Sequence, residues 1–217
     1  MATPLAKISA AALADRYRAV REQTLALIAD LRAEDTVIQT MPDVSPTKWH
    51  LAHVTWFFEH FVLRPNVRNY AVFDDQFHYL FNSYYYTAGD MHARPRRGLL
   101  SRPTLSEVLD YRSHVDTAMQ QLLQTDASDS KLAQLVTLGL NHEQQHQELL
   151  LTDIKHVFAN NPLRPRASKS LQPQTTANIA TYSFAAGPSG VHEVGATGDG
   201  FAFDNETPRH DCLLHPH

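Results

Sequence analysis

The sequence predicts a mainly α protein: an antiparallel four-helix bundle, followed by a linker and the start of a β-rich domain. Three observations carry this. Apolar residues recur at helical spacing over four long segments. Most connections between those segments are short, which sets successive helices side by side and antiparallel. After residue 163 the helical period stops, and prolines, glycines and short β-prone runs take over.

The first helix is predicted over residues 9–33. Ser9 can cap it, and Leu13, Tyr17, Val20, Thr24, Leu27, Ile28 and Leu31 recur at helical spacing. The second is predicted over 46–63, PTKWHLAHVTWFFEHFVL. Ser45 offers a capping hydroxyl and Pro46 suits the first helical position. This helix is apolar nearly all round, so burial is expected.

Residues 64–103 are less regular. Arg64-Pro65-Asn66 ends the second helix, FHYLFNSYYYTAG reads as a short helix closed by Gly89, and MHARPRRGLLSRP reads as a long loop. A compact domain rarely keeps so long a loop without a use for it. Thr104-Leu105-Ser106-Glu107 matches a capping box that opens the third helix, TLSEVLDYRSHVDTAMQQLLQ. Thr125-Asp126-Ala127-Ser128-Asp129 is the turn. The fourth helix is predicted over 129–159, stopping at Asn160-Asn161-Pro162.

The bundle therefore takes residues 1–163 and the linker 164–180. Residues 181–217 are read as the beginning of a second, β-rich domain, incomplete and too short to be stable alone. The chain is accordingly expected to be part of a longer protein. The competing expectation for the same residues is a short β-extension folded against the bundle.

Composition narrows the function classes. The 217 residues are 43% hydrophobic and 19% charged, ordinary for a soluble protein. A net charge of -4 gives nucleic-acid binding no electrostatic footing, the patch Arg94-Pro95-Arg96-Arg97 being a local exception. No run of about 18 apolar residues predicts a membrane span. The N-terminus reaches Asp15 and Arg16 before any long apolar core forms, so it reads as a helix start and not a signal peptide. Cys212 is alone, so no internal disulfide can form, and a reducing cytoplasm is expected. The composition leaves the oligomeric state open. The outlier is the 13 histidines, because neutral imidazole is the commonest protein metal ligand.

They cluster in the fourth helix, within NHEQQHQELLLTDIKH, Asn141 to His156. On a helical wheel His146 lies about 40° from His142, one turn on. Leu135, Leu138 and Leu149 fall on the same stripe, so the two histidines are expected to interrupt an apolar face. An i, i+4 histidine pair can place two imidazoles on one metal ion. Glu148 lies about 120° away and is expected to support or pack rather than ligate. Asp153 shares the histidine face but lies about 16 Å along the axis from His142, and His156 about 15 Å past His146, both too far to share that metal. A third ligand must come from a facing helix. The second helix offers His50, His53 and His60 close to one stripe, and spacing does not choose between His50 and His53. Three neutral histidines leave coordination positions open, which suits catalysis more than structure. The plainer alternative is that carbonyls and carboxylates satisfy these rings inside the core.

Three motifs carry a resemblance. SPTKWHLAHVTWFFE, FNSYYYTAGDMHARPRRGLLSRP and LGLNHEQQHQELLLTDIKH, in that order, resemble the N-terminal half of the ergothioneine-biosynthesis sulfoxide synthases. Those enzymes join a DinB-like four-helix bundle to a formylglycine-generating-enzyme-like domain, whose entry FAFDNETPRH resembles. The resemblance covers nearly the whole chain. It implies Fe(II) held by His53, His142 and His146, with O2 as co-substrate. It implies that the Arg94 to Arg97 loop, through Arg94 and Arg97, binds substrate carboxylate, a role that suits the guanidinium fork. It implies that Gln145 touches the histidine-derived substrate. The reaction it implies joins cysteine or γ-glutamylcysteine to the imidazole carbon of Nα-trimethylhistidine as a sulfoxide. No catalytic acid or base is assigned within this chain, since the family's active-site tyrosine belongs to the second domain.

Close relatives make 5-histidylcysteine sulfoxide or selenoneine on the same scaffold, so the thiol or selenium donor stays open. Three histidines do not by themselves separate iron from zinc. Two further expectations compete: a stand-alone DinB-like thiol transferase or hydrolase using a divalent ion, and a non-enzymatic bundle whose histidines are satisfied internally. Small-molecule substrates, and neither nucleic acid nor membrane, are the expected partners.

Overall fold

Ser9 opens the first helix as its sequence position predicts, its Oγ accepting from Ala12 N at 3.3 Å. The computed structural model describes residues 9–83, 89–125, 130–168, 183–198 and 200–216. These fall in two compact units, 9–168 and 183–216.

In the first unit, helix α1 spans Ala10–Ile28 and a 3-10 turn follows at Ala33–Val37. Helix α2 spans Thr47–Phe57 and continues as a π-helical segment, Phe58–Leu63, into the short turn α3, Arg64–Asn66. Helix α4 is Phe77–Phe81, a 3-10 turn covers Arg94–Leu99, α5 spans Leu105–Thr125, and α6 runs unbroken over Ser130–Asn160. The capping box at α5 forms: Glu107 N donates to Thr104 Oγ1 at 3.2 Å, and Thr104 N donates to Glu107 Oε2 at 2.7 Å.

Three expectations fail locally. Helix one stops at Ile28, five residues before the predicted end, because Leu31 N turns back onto Ile28 O and Arg32 is already extended. Ser45 does not cap α2. Pro46 stands at the cap, its carbonyl accepting from Trp49 N and His50 N, while Ser45 Oγ accepts from Arg97 Nη1 at 2.9 Å. The short aromatic helix ends at Asn82, before Gly89. Residues 84–88, with Tyr84-Tyr85-Tyr86, lie outside the described residues, as does the predicted linker from 169 onward.

Helices α1 and α2 each pack against both α5 and α6. The core they share holds Leu13 and Tyr17 of α1, Trp56 of α2, Val108, Tyr111 and Val115 of α5, and Val136 and Leu140 of α6. The expectation that α2 is buried on every side is met, since each of its residues from Thr47 to Phe57 is buried. One glycine sets how closely α6 approaches α2. A Cβ on Gly139 would stand 2.7 Å from Cε1 of both Phe57 and Phe58. Only a residue without a side chain lets these helices meet there, one turn before His142.

In the second unit, β1 (Gly190–Val194) pairs antiparallel with β2 (His210–Leu214), with His192 opposite Cys212. Every residue of β1 is exposed. Among the described residues, no helix is long and apolar enough to cross a membrane.

Candidate metal centre

The close approach at Gly139 brings α2 and α6 together where each carries histidine. His53 of α2 and His142 and His146 of α6 each offer a ring nitrogen, and these atoms lie within 4.8 Å of one another. That is the cluster the sequence motifs predict. Of the two histidines that spacing left open, His53 is the one in this cluster, while the His50 ring meets His146 with one nitrogen and Asp153 with the other.

Each ring is held differently. His53 Nδ1 donates to the carbonyl of Phe81, at the end of α4, at 2.6 Å, which leaves Nε2 as its lone-pair nitrogen. The ring lies between two indoles, stacked on Trp49 at 4.6 Å and on Trp56 at 5.8 Å between centroids. His146 Nδ1 meets His50 Nδ1 at 2.9 Å. His50 Nε2 in turn meets Asp153 Oδ2 at 2.9 Å, and that oxygen accepts Ser45 N at 2.8 Å. His142 packs against Phe57, and its buried Nδ1 has no hydrogen-bond partner. A buried polar atom without a partner calls for an explanation, and a metal ion beside the ring supplies one.

Electrostatics favour the ligand form of all three rings. Burial pushes His53 well below the usual imidazole range, with His142, Arg97 and His50 adding to it and the Phe81 carbonyl opposing. Burial does the same to His146, helped by His53, His50, His142 and Arg97. His142 is lowered to about 4 by burial, against the pull of Glu143. All three are therefore neutral at neutral pH, as metal ligation requires. Three neutral nitrogens and no carboxylate suit a divalent transition ion and not Mg²⁺ or Ca²⁺.

The wheel reading of α6 needs one correction. Leu138 and Leu149, placed on the histidine stripe, are 37% and 42% exposed. The buried face instead runs through Leu132, Val136, Leu140, Glu143, Leu150 and Ile154. The histidines thus sit at the margin of the core, facing α2, and His146 keeps part of its surface exposed.

Glu148, expected to support the site, is exposed. The buried glutamate of α6 is Glu143, which the sequence pattern did not single out. Its Oε2 accepts Arg21 Nη1 at 3.0 Å, and its Oε1 accepts Arg112 Nη2 at 3.1 Å and Thr24 Oγ1 at 2.7 Å. Arg21 Nε also reaches Asp116 Oδ1 at 2.7 Å. The signal was present: Glu143 is one residue past His142, turned about 100° into the core.

Of the residues expected at the substrate, Arg97 is buried, donates to Ser45 Oγ and Ser83 Oγ at 2.9 Å each, and lies over Trp49 with its guanidinium carbon 3.3 Å from the ring centroid. Arg94 donates to the Asp43 carbonyl. Gln145 is exposed on α6. His156 lies apart from the cluster, with Nδ1 2.7 Å from Thr40 Oγ1.

The family model described as DinB superfamily matches residues 16–150, the stretch that carries all three histidines. The chain belongs to the DinB superfamily. No curated protein matches it.

Proposed function

We propose that this DinB superfamily chain holds Fe(II) at His53, His142 and His146 as the helical part of an O2-dependent sulfoxide synthase of ergothioneine biosynthesis. The reaction would join cysteine or γ-glutamylcysteine to the imidazole carbon of Nα-trimethylhistidine. The observation that carries this reading is the convergence of His53, from Leu51-Ala52-His53, with His142 and His146.

When bound, Fe(II) supplies open coordination positions for O2, a thiolate and an imidazole, and favours the thiolate over the thiol. The chain's own residues do the rest. His53 and His146 are oriented by hydrogen bonds to Phe81 O and His50 Nδ1, which fixes the ring that each would offer to the ion. Arg97, seated over the indole that stacks on His53, puts positive charge beside the site. With Arg94 it is proposed to receive the carboxylates of the thiol substrate. Gln145, exposed one residue before His146, is proposed to contact the histidine-derived substrate.

Reconstitution with Fe(II) under anaerobic conditions tests this. O2, Nα-trimethylhistidine and each candidate thiol or selenium donor would follow, in this chain and in a version extended by a formylglycine-generating-enzyme-like domain. The expected result is a coupled sulfoxide from the extended protein, the preferred donor separating ergothioneine, 5-histidylcysteine sulfoxide and selenoneine chemistry. No product with any donor overturns the synthase reading. Zn(II)-dependent thiol transfer or hydrolysis in its place would leave the second reading, a DinB-like metal enzyme.

A further inference from the structure

His50 ligates nothing in the cluster, yet it is buried at its edge and both of its ring nitrogens are engaged. Hydrogen-bond direction along this contact can be worked out from its far end. Ser45 N is a backbone amide and can only donate, so Asp153 Oδ2 is an acceptor there. The same oxygen faces His50 Nε2, so Nε2 carries the hydrogen and donates. A neutral imidazole has one N–H; His50 Nδ1 is then a lone pair. Facing it at 2.9 Å is His146 Nδ1. Two lone pairs at that distance would repel, so His146 Nδ1 carries a hydrogen and donates. The lone pair of His146 is left on Nε2.

We infer that His50 and Asp153 are positioning residues that fix the tautomer and ring angle of His146, so that its Nε2 is presented to the metal. The inference rests on the metal reading for its consequence, while the hydrogen-bond chain exists without the ion. It gives Asp153 a role despite its distance: two turns beyond His146 on α6, it acts through a histidine of α2. It also tells His50 from His53 by chemistry, since one aims the other helix's ligand and the other is itself a ligand. Ligand histidines whose second nitrogen is bound by a carboxylate or carbonyl hold metal more tightly, and loss of such a partner typically costs about 10–100-fold in affinity.

The test has two parts. In the metal-free, ¹⁵N-labelled chain, long-range ¹H–¹⁵N spectra report each ring's tautomer. His50 is expected as Nε2–H and His146 as Nδ1–H; His50 as Nδ1–H, or protonated on both nitrogens, overturns the inference. In the second part, Zn(II) and Co(II) affinities are measured by competition with a chelator, with circular dichroism on each variant to confirm folding. His50→Leu and Asp153→Ala should each weaken binding about 10–100-fold and alter the Co(II) visible spectrum. His50→Gln, whose amide can accept and donate at once, should restore most of the affinity. A His50→Leu protein that binds as the wild type does, or a His50→Gln protein as weak as His50→Leu, overturns the inference. A wild-type chain that binds neither ion defeats the metal reading itself, and the tautomers then decide the hydrogen-bond chain alone.

Discussion

Gly139→Ala is the smallest change that should disturb the centre without touching a ligand. The added Cβ would lie 2.7 Å from ring carbons of Phe57 and Phe58 and 2.9 Å from Cζ of Phe58. Carbon atoms rest at about 3.5–4.0 Å, so the overlap approaches ~1 Å on two rings at once. Neither ring has room to yield. Phe58 is wedged edge-on against Tyr17 at 5.0 Å, and Phe57 lies tilted against His142 at 5.1 Å and Phe61 at 5.1 Å. Overpacking of this kind costs about 1–3 kcal/mol, while alanine in place of glycine returns about 1 kcal/mol of helix propensity. The net expectation is a loss of about 1 kcal/mol, lowering the melting midpoint by about 2–4 °C for a chain of this size. Since Phe57 bears on His142, the strain should also reach the metal site. Thermal denaturation followed by circular dichroism gives the first number, and Co(II) titration gives the second. A variant about 1 kcal/mol more stable than wild type, as propensity alone dictates, with unchanged Co(II) affinity, would refute the claim that Gly139 sets the distance between α2 and α6.

His53→Ala, His142→Ala and His146→Ala should each abolish tight metal binding, read by metal analysis after dialysis; survival of any one at wild-type stoichiometry removes that residue from the ligand set. The chain has two tryptophans, and both stack on His53, so Co(II) or Cu(II) should quench the intrinsic fluorescence strongly. Quenching that survives His53→Ala would place the ion elsewhere. Glu143→Gln should destabilise the fold by about 3–5 kcal/mol, because it leaves Arg112 buried without its counter-charge and Arg21 with Asp116 alone; a melt within about 2 °C of wild type would contradict this. Burial alone would raise the Glu143 carboxyl, but Arg21, Arg112 and the Thr24 hydroxyl hold it below the usual carboxylate range. Its contribution is therefore fully present above the unfolded value of about 4.3 and is lost as pH falls through the lower folded one. Glu143→Gln should accordingly flatten the acid limb of the stability profile, and an unchanged limb would remove Glu143 from it.

The helices and the histidine pair of α6 were legible because each rests on a local signal, whereas His53 came from the resemblance, spacing alone leaving it level with His50. Ser9 and the Thr104–Glu107 box are short-range caps that fold as they read. An i, i+4 pair stays on one helix face whatever packs beside it. What could not be read depends on distant partners. Ser45 has the composition of a helix cap, yet its hydroxyl serves Arg97, fifty-two residues away. The wheel put Leu138 and Leu149 with the histidines correctly but mistook that stripe for the centre of the buried face. Periodicity gives a face's direction and not its depth, and the apolar sequence around α6 hides the fact that its most buried polar residue is Glu143.

That glutamate explains why NHEQQHQ is so dense in polar groups. His142 and His146 face α2. Glu143 and Gln147, each one residue on and so turned about 100°, face the other way. Glu143 reaches Arg21 of α1 and Arg112 of α5, and Gln147 Nε2 donates to Val20 O at 3.0 Å and Thr24 Oγ1 at 2.9 Å. Arg21 and Arg112 also extend to Thr55 Oγ1 of α2, at 3.1 and 3.4 Å. Two turns of α6 are thereby tied to all three neighbouring helices by directional bonds. A buried ion pair adds little net stability over an apolar core of the same shape, so stability alone does not account for it. Registry does. A site built from facing helices works only if its ligands are held within about 0.5 Å, and apolar packing alone permits small slides of one helix along another. A helix that slid by one turn, about 5.4 Å, would carry Glu143 away from both arginines and His142 and His146 away from His53. The residues that look redundant in sequence therefore have separate roles. On the proposed reading, one pair serves the ion, and the other holds α6 where that pair can meet it.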